Sequence, residues 1–115
     1  EMLLRHGAGI SLQNLEGFTA LMLATAHGHA RVVDALLQHG AEINLQECLG
    51  GTALMFAARY DRPAVVLGLL RAGADMTLRD VDGKTALQWA KEKGHAECVE
   101  AFKNHVQEVV AGRPT

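Results

Sequence analysis

The sequence repeats itself at an interval of 33 residues, and this period restricts the possible folds more than any other feature. A glycine followed two positions later by Thr-Ala-Leu occurs three times, beginning at Gly17, Gly50 and Gly83. Copies of one short unit can bury their apolar side chains only by stacking on their neighbours. We therefore expect a stack of similar units, each in contact with the next.

Each unit has the pattern of two short helices that are joined by a turn and followed by a projecting loop. Thr19 stands directly before the apolar run 20–24, where its hydroxyl can accept a hydrogen bond from the first helical turn. Gly28 and Gly94 stand where the first helix should end in the left-handed conformation. The second unit has Asp61-Arg62-Pro63 at this turn, so its turn is the least regular. The predicted division is a partial unit 1–13, repeats 14–46 and 47–79, a capping repeat 80–111, and a tail 112–115.

The composition favours helices and excludes several classes of protein. Hydrophobic residues make up 49% of the chain and aromatic residues only 4%, so Ala and Leu, which are strong helix formers, supply most of the apolar bulk. The net charge of −2 has its signs interspersed, and this disfavours a nucleic-acid partner. No apolar stretch approaches the roughly 18 residues of a membrane span, so we expect no membrane insertion.

The chain shows no motif that indicates catalysis, a cofactor or a metal site. Cys48 and Cys98 lie far apart in the sequence, which favours two free thiols in a reducing compartment over a disulfide framework. His27 and His29 could suggest a metal ligand pair, but side chains two positions apart on helical geometry should diverge. We therefore predict no enzyme activity, no cofactor and no metal.

The repeated residues as a set resemble ankyrin repeats over nearly the whole chain. The resemblance is carried by Gly-x-Thr-Ala-Leu, the Gly-His and Gly-Ala pairs, and Asn44, all within the 33-residue period. The chain departs from the family pattern mildly at Ala20, Ala53 and Ala86, where the family usually has proline, and most at Asp61-Arg62-Pro63 in the second unit. The resemblance implies an all-α solenoid of stacked helix-turn-helix units with projecting loops.

The same resemblance implies a non-catalytic, monomeric, intracellular module, cytoplasmic or nuclear, for protein–protein interaction. Such a scaffold or adaptor would bind a partner protein or extended peptide on the concave surface of loops and inner helices. The alternative hypothesis is a structural spacer, or a substrate-recognition segment, of a larger multidomain protein whose activity lies outside this chain.

By the same resemblance, the partner-binding residues flank the turn glycine or lie at the exposed end of the first helix. The expected partner-binding residues are Leu15, Glu16, Phe18, His27, Leu49, Arg59, Tyr60, Val81 and Lys84. Phe18, Leu49 and Tyr60 are the expected anchors, because loop tips are normally polar. The alternative is that neighbouring loops bury these side chains against each other.

Several other residues are expected either to fill the core or to border the binding surface. Phe56, Trp89 and Phe102 are assigned to the core, which leaves Phe18 and Tyr60 as the aromatic anchors. Methionines at the start of two first helices, Met22 and Met55, are expected to fill the core or to form the floor of the binding surface.

Asn44 occupies a position that resembles the ankyrin asparagines hydroxylated by an oxygen-sensing hydroxylase. The resemblance therefore implies that Asn44 is a possible hydroxylation site. The alternative is a structural role, in which its side chain forms hydrogen bonds with the loop backbone.

The two ends of the chain differ from the repeated pattern. At the C-terminus, a longer helix is expected, held by Val99, Phe102, Val106 and Val109 or Val110. The polar outer face that a terminal unit needs would come from Lys103, Asn104, Gln107 and Glu108. The chain begins within a second helix and without an initiating methionine, so we expect a C-terminal fragment of a longer protein.

Overall fold

The computed structural model describes residues 9–112, which form six α-helices and no strand. The helices are α1 (Ala20–Ala26), α2 (Ala30–Gln38), α3 (Ala53–Arg59), α4 (Pro63–Arg71), α5 (Ala86–Lys93) and α6 (Ala96–Ala111). The first helices α1, α3 and α5 pack side by side, and the second helices α2, α4 and α6 form a layer behind them. The expected all-α solenoid is confirmed.

Parts of the predicted division into units fall outside the described residues. These parts are residues 1–8 of the partial N-terminal unit, which precedes the first full unit, and residues 113–115 of the tail. The boundaries proposed for the units stay predictions. None of the helices within residues 9–112 has both the length and the apolar character that a bilayer crossing requires.

A threonine caps the start of each first helix. Thr19, Thr52 and Thr85 have extended backbones, and each hydroxyl accepts a hydrogen bond of 3.2 Å from the backbone N–H three residues later. In the last unit the Gln88 side chain also accepts a hydrogen bond of 2.8 Å from the Thr85 N–H. This reciprocal pair is a capping box, which satisfies two backbone donors that the helix itself leaves unpaired.

The turn between the two helices of a unit requires one residue in the left-handed conformation. Gly28 and Gly94 have φ values of 74° and 72°, and Asp61 takes the same conformation with a φ of 59°. Aspartate tolerates this region better than most non-glycine residues. The Arg62 N–H then donates to the Ala57 carbonyl at 2.8 Å, so the least regular unit forms the same turn as the others.

The core lies between the two layers of helices and combines small and branched side chains. Ala57, Ala58 and Ala90 are fully buried, which allows the first helices to approach one another closely. The core also contains Met22 and Met55 of the first helices. The remaining large buried side chains are Ile10, Leu21, Val33, Leu54, Phe56, Val65, Val66, Leu69, Leu70 and Phe102.

The last helix, α6, corrects one sequence prediction. Phe102 is buried as expected, but Val106, Val109 and Val110 are 46%, 46% and 59% exposed, so they do not hold the helix in place. These valines are exposed because α6 is longer than its neighbour: α6 has 16 residues, whereas α4 has nine. The last turns of α6 therefore extend beyond the surface on which they could pack.

An ion pair ties this extension to the preceding unit. The Arg71 guanidinium on α4 lies 2.6 Å from the Glu108 carboxylate and makes a second hydrogen bond to it of 3.2 Å. The hydrogen bond and charge of Arg71 hold the pKa of Glu108 below its usual range. Lys103, Asn104 and Gln107 are exposed, as expected for a polar outer face.

Neighbouring loops are joined through their backbones. The Cys48 N–H donates to the Glu16 carbonyl at 2.9 Å, and the Val81 N–H donates to the Leu49 carbonyl at 3.0 Å. These bonds join equivalent positions of successive units, so they set the spacing of the loops along the stack.

We expect Gly50→Ala to destabilise the protein more than Gly83→Ala. Both glycines have positive φ values, 83° and 79°, at which a side chain costs about 1 kcal/mol. A Cβ on Gly50 would also lie 2.8 Å from the Cα of Asp80, whereas a Cβ on Gly83 would meet nothing within 4 Å. The free energy of unfolding from urea titrations should fall by about 1 kcal/mol for Gly83→Ala and by about 2–3 kcal/mol for Gly50→Ala. Equal losses would contradict the close approach of the loops.

Candidate functional site

The loops and first helices of the second and third units enclose a groove of about 260 Å³. Met55 and Phe56 of α3 and Trp89 of α5 border it, and the loop tips at Leu49 and Val81 form its walls. The other lining residues are Glu47, Gly51, Arg59, Asp80 and Asp82. We call this site the central groove.

One side chain near the tip of each loop fixes the loop conformation. Asn14, Glu47 and Asp80 each accept hydrogen bonds from the backbone N–H groups two and four residues later. The three residues share one repeat position, and such local bonds are typical of Asx-type turns. The 33-residue period aligns these three acceptors, so their shared repeat position is a signal in the sequence, although none of the three was among the predicted site residues.

This loop conformation leaves the apolar tips in solvent. Leu15 is fully exposed, and Leu49 and Val81 are 61% and 66% exposed. Leu49 and Val81 both line the central groove and are joined by a backbone hydrogen bond, while Leu15 belongs to the first unit. The exposed apolar surface at the groove therefore comes from two adjacent units.

Arg59 lies between two aromatic rings at the end of α3. Its guanidinium carbon is 5.4 Å from the centroid of the Tyr60 ring and 5.1 Å from that of the Trp89 ring. Both distances allow a cation–π attraction. Within residues 9–112, no carboxylate forms a salt bridge with this guanidinium.

Trp89 borders the groove, which corrects its assignment to the core. One part of the indole packs on the core, but the side chain as a whole is only half-buried. Its N–H donates to Oδ2 of Asp80 at 2.9 Å, and an indole N–H needs such an acceptor when it leaves water. The amino groups of Lys84 and Lys93 lie 4.7 and 5.8 Å from the ring centroid. The loop carboxylate thus holds the ring at the junction of loop and helix.

Phe18 is half-buried and packs against the core. Its ring centroid lies 5.6 Å from that of Phe56, which in turn stacks on Tyr60 at 6.4 Å. Tyr60 is 45% exposed, so it remains available at the surface while Phe18 is largely covered. A row of rings therefore runs from the first unit toward Arg59.

The structure brings only part of the predicted residue set together. Leu49, Arg59 and Val81 line the central groove, and Tyr60 stacks on Arg59 beside it. Lys84 is half-buried and lies over the Trp89 ring. The remaining predicted residues, Leu15, Glu16, Phe18 and His27, lie on the first unit and do not line the groove.

Hydrogen bonds stabilise the charges of Asp80, which lines the groove, and of Lys84, which lies over the Trp89 ring. Burial alone would raise the pKa of Asp80, but hydrogen bonds from the Lys84 backbone, the Trp89 indole and the Asp82 backbone lower it overall, with help from the Lys84 charge. The hydrogen bond to Glu92 raises the pKa of Lys84. Both groups are therefore charged at neutral pH.

The structure contradicts the expectation that the side chains of His27 and His29 diverge. The rings of His27 and His29 do not diverge, since their centroids lie 5.9 Å apart and the rings stack. Both residues lie at helix ends, one at the end of α1 and one before α2, and the chain turns between them at Gly28. Across residues 9–112 there is no group of three or more metal-ligating side chains.

The two thiols differ in their surroundings. Cys48 is exposed in a loop, whereas Cys98 is fully buried, with its sulfur 3.8 Å from the Ala57 carbonyl oxygen. Burial, followed by the nearby charge of Asp61, raises the pKa of Cys98 to about 12. Cys98 is therefore protonated and unreactive at neutral pH.

Asn44 joins the loops of two units. Its side chain is exposed, and its Oδ1 accepts a hydrogen bond of 2.9 Å from the backbone N–H of Asp75. The amide therefore forms a hydrogen bond with the backbone of the following loop.

The family model described as ankyrin repeats matches residues 1–80 in three copies. The match includes α1 to α4 and ends in the loop before α5. No curated protein matches the chain.

We expect Asp80→Asn to lower stability at neutral pH and to have less effect in acid. The folded-state pKa of Asp80 lies below the value of about 3.9 in an unfolded chain. Its carboxylate therefore contributes stability above about pH 4, and this contribution is lost as the pH falls through the folded pKa. The difference in urea midpoint between wild type and variant should be constant from about pH 5 to 7 and shrink below about pH 4. A difference that does not change with pH would contradict the hydrogen-bond network around the carboxylate.

Proposed function

The chain belongs to the ankyrin-repeat family, and we propose that its central groove binds an extended segment of a partner protein. Ankyrin repeats are generally protein–protein interaction modules and are typically non-catalytic. The proposal assigns this general function to one surface, formed by the loops and first helices of the second and third units.

The exposed apolar loop tips beside the Arg59 stack are the observation that carries the proposal. Leu49 and Val81 lie mostly in solvent, whereas loop tips normally carry polar side chains. Tyr60 and Trp89 add aromatic surface next to them, and aromatic residues and arginine are enriched at energetically important positions of interfaces. These exposed groups favour partner binding over the spacer alternative.

The size of the groove favours a peptide over a small molecule. Its volume of about 260 Å³ lies below the roughly 300–1,000 Å³ of typical ligand pockets. A space of this size suits one or two side chains of an extended segment that continues along the neighbouring loops.

We also propose an intracellular, monomeric module that does not bind nucleic acid. The exposed thiol of Cys48 and the buried thiol of Cys98 fit a reducing compartment. With a net charge of −2, the chain lacks the excess of basic residues that phosphate contacts need.

We expect Leu49→Ala and Tyr60→Ala to weaken binding of a groove ligand by about 30-fold each. Loss of a well-packed anchor typically costs about 2 kcal/mol of binding, which corresponds to that factor. The ligand would be selected from a random phage-displayed peptide library on the immobilised chain, and its dissociation constant measured by fluorescence anisotropy. Phe18→Ala is a poorer test, because Phe18 also packs against the core.

Val109→Ala is the matched control for these variants. Val109 is also an exposed apolar side chain, but it lies on α6 away from the groove, so its loss should leave binding unchanged. Failure to select any peptide, or equal affinities for all three folded variants, would overturn the proposed function.

Hydroxylation of Asn44 is a separate proposal that the exposure of this side chain supports. After coexpression with an oxygen-dependent asparaginyl hydroxylase, we expect the intact mass to rise by one oxygen atom. The Asn44→Gln variant should show no increase. An unchanged wild-type mass would count against the modification.

A further inference from the structure

We infer that the segment bound in the central groove is acidic, with a carboxylate placed against Arg59 and Lys93. An apolar side chain of the same segment would lie between Leu49 and Val81. This inference rests on the proposed function and specifies the chemistry of the partner.

Arg59 presents a fixed cation whose donors have no partner among the described residues. Its guanidinium is held between the Tyr60 and Trp89 rings, and within residues 9–112 it forms no salt bridge and no side-chain hydrogen bond. A guanidinium has five N–H donors in a planar arrangement that matches a carboxylate. Because the rings already restrict its position, binding a carboxylate costs less conformational entropy.

Three cations lie around Trp89, in a groove that Glu47, Asp80 and Asp82 also line. Arg59, Lys84 and Lys93 lie within 5.8 Å of the ring centroid, and only Lys84 is paired with a carboxylate, Glu92 at 2.9 Å. The nearby Asp80 carboxylate already accepts three N–H hydrogen bonds. Glu47 likewise accepts two backbone N–H hydrogen bonds. Of the three cations, Arg59 and Lys93 have no ion-pair partner within residues 9–112.

The rest of the groove favours an uncharged side chain. Leu49 and Val81 form the walls, and the floor beside them is Met55 and Phe56. Asp82 lies on the same side as Val81, so a second carboxylate there would be repelled. Side chains two positions apart in an extended segment face the same way at a spacing of about 7 Å. A segment with an acidic residue and an apolar residue separated by one residue would therefore present both side chains to the groove.

The inference can be tested with a defined acidic probe. The probe is a fluorescein-labelled peptide with three copies of Glu-Ser-Leu-Ser, and binding to the full chain is followed by anisotropy. Matched peptides carry Gln in place of Glu, Ser in place of Leu, or phosphoserine in place of Glu. We expect the first two replacements each to weaken binding at least about tenfold.

Substitutions of single cations test whether Arg59 and Lys93 contact the carboxylate of the probe. We expect Arg59→Gln to weaken binding of the Glu probe at least about tenfold and Lys93→Gln to weaken it about threefold. Lys103→Gln removes the same charge from an exposed position on α6 and should leave binding unchanged. Circular dichroism and urea midpoints establish that each variant is folded.

Several results would overturn the inference. These are no measurable binding of the Glu probe, equal binding of the Gln peptide, or equal effects of Arg59→Gln and Lys103→Gln. Tighter binding of the phosphoserine peptide would assign the site to a phosphorylated partner instead. Library peptides that lose affinity with Tyr60→Ala but contain no acidic residue would overturn this inference and leave the proposed function intact. An unproductive library selection would instead refute the proposed function.

Discussion

The contact between one loop and the next is the constraint on which the rest of this structure depends. The backbone bonds from Cys48 to Glu16 and from Val81 to Leu49 require neighbouring loops to approach within backbone contact. A single unit cannot bury its own apolar face, so its helices are stable only when a neighbour is held at the right distance. The absence of a side chain at Gly50 makes this approach possible.

The same spacing creates the central groove. Because successive units are aligned, side chains from one repeat position lie side by side, as Phe56 and Trp89 do on α3 and α5. The side chain of Arg59, the last residue of α3, then lies beside the Trp89 ring of the next unit. The groove is thus a product of the stack, and neither unit could form it alone.

The sequence predicted much of the fold, because the repeat period and the local chemistry of caps and turns are encoded in short motifs. It predicted Leu49, Arg59 and Val81 as surface residues of the binding face, but not that Trp89 borders the groove, since residues in one repeat slot meet different neighbours. Phe56 is buried on α3, which packs between α1 and α5, but Trp89 in the same slot is only half-buried, because α5, the last of the described first helices, packs against only one other first helix, α3. The apolar pattern of α6 likewise could not reveal that Val106 extends beyond α4. Periodicity identifies which face is apolar, but not what covers it.

The most direct test of ligand binding in the central groove is a nuclear magnetic resonance titration of the ¹⁵N-labelled chain with a library-selected peptide. Trp89 is the single tryptophan, so its indole N–H gives one resonance that reports on the groove. Binding there predicts that this resonance shifts, together with backbone amides in 47–51 and 79–84. Shifts confined to α2, α4 and α6, with the indole unchanged, would contradict the account.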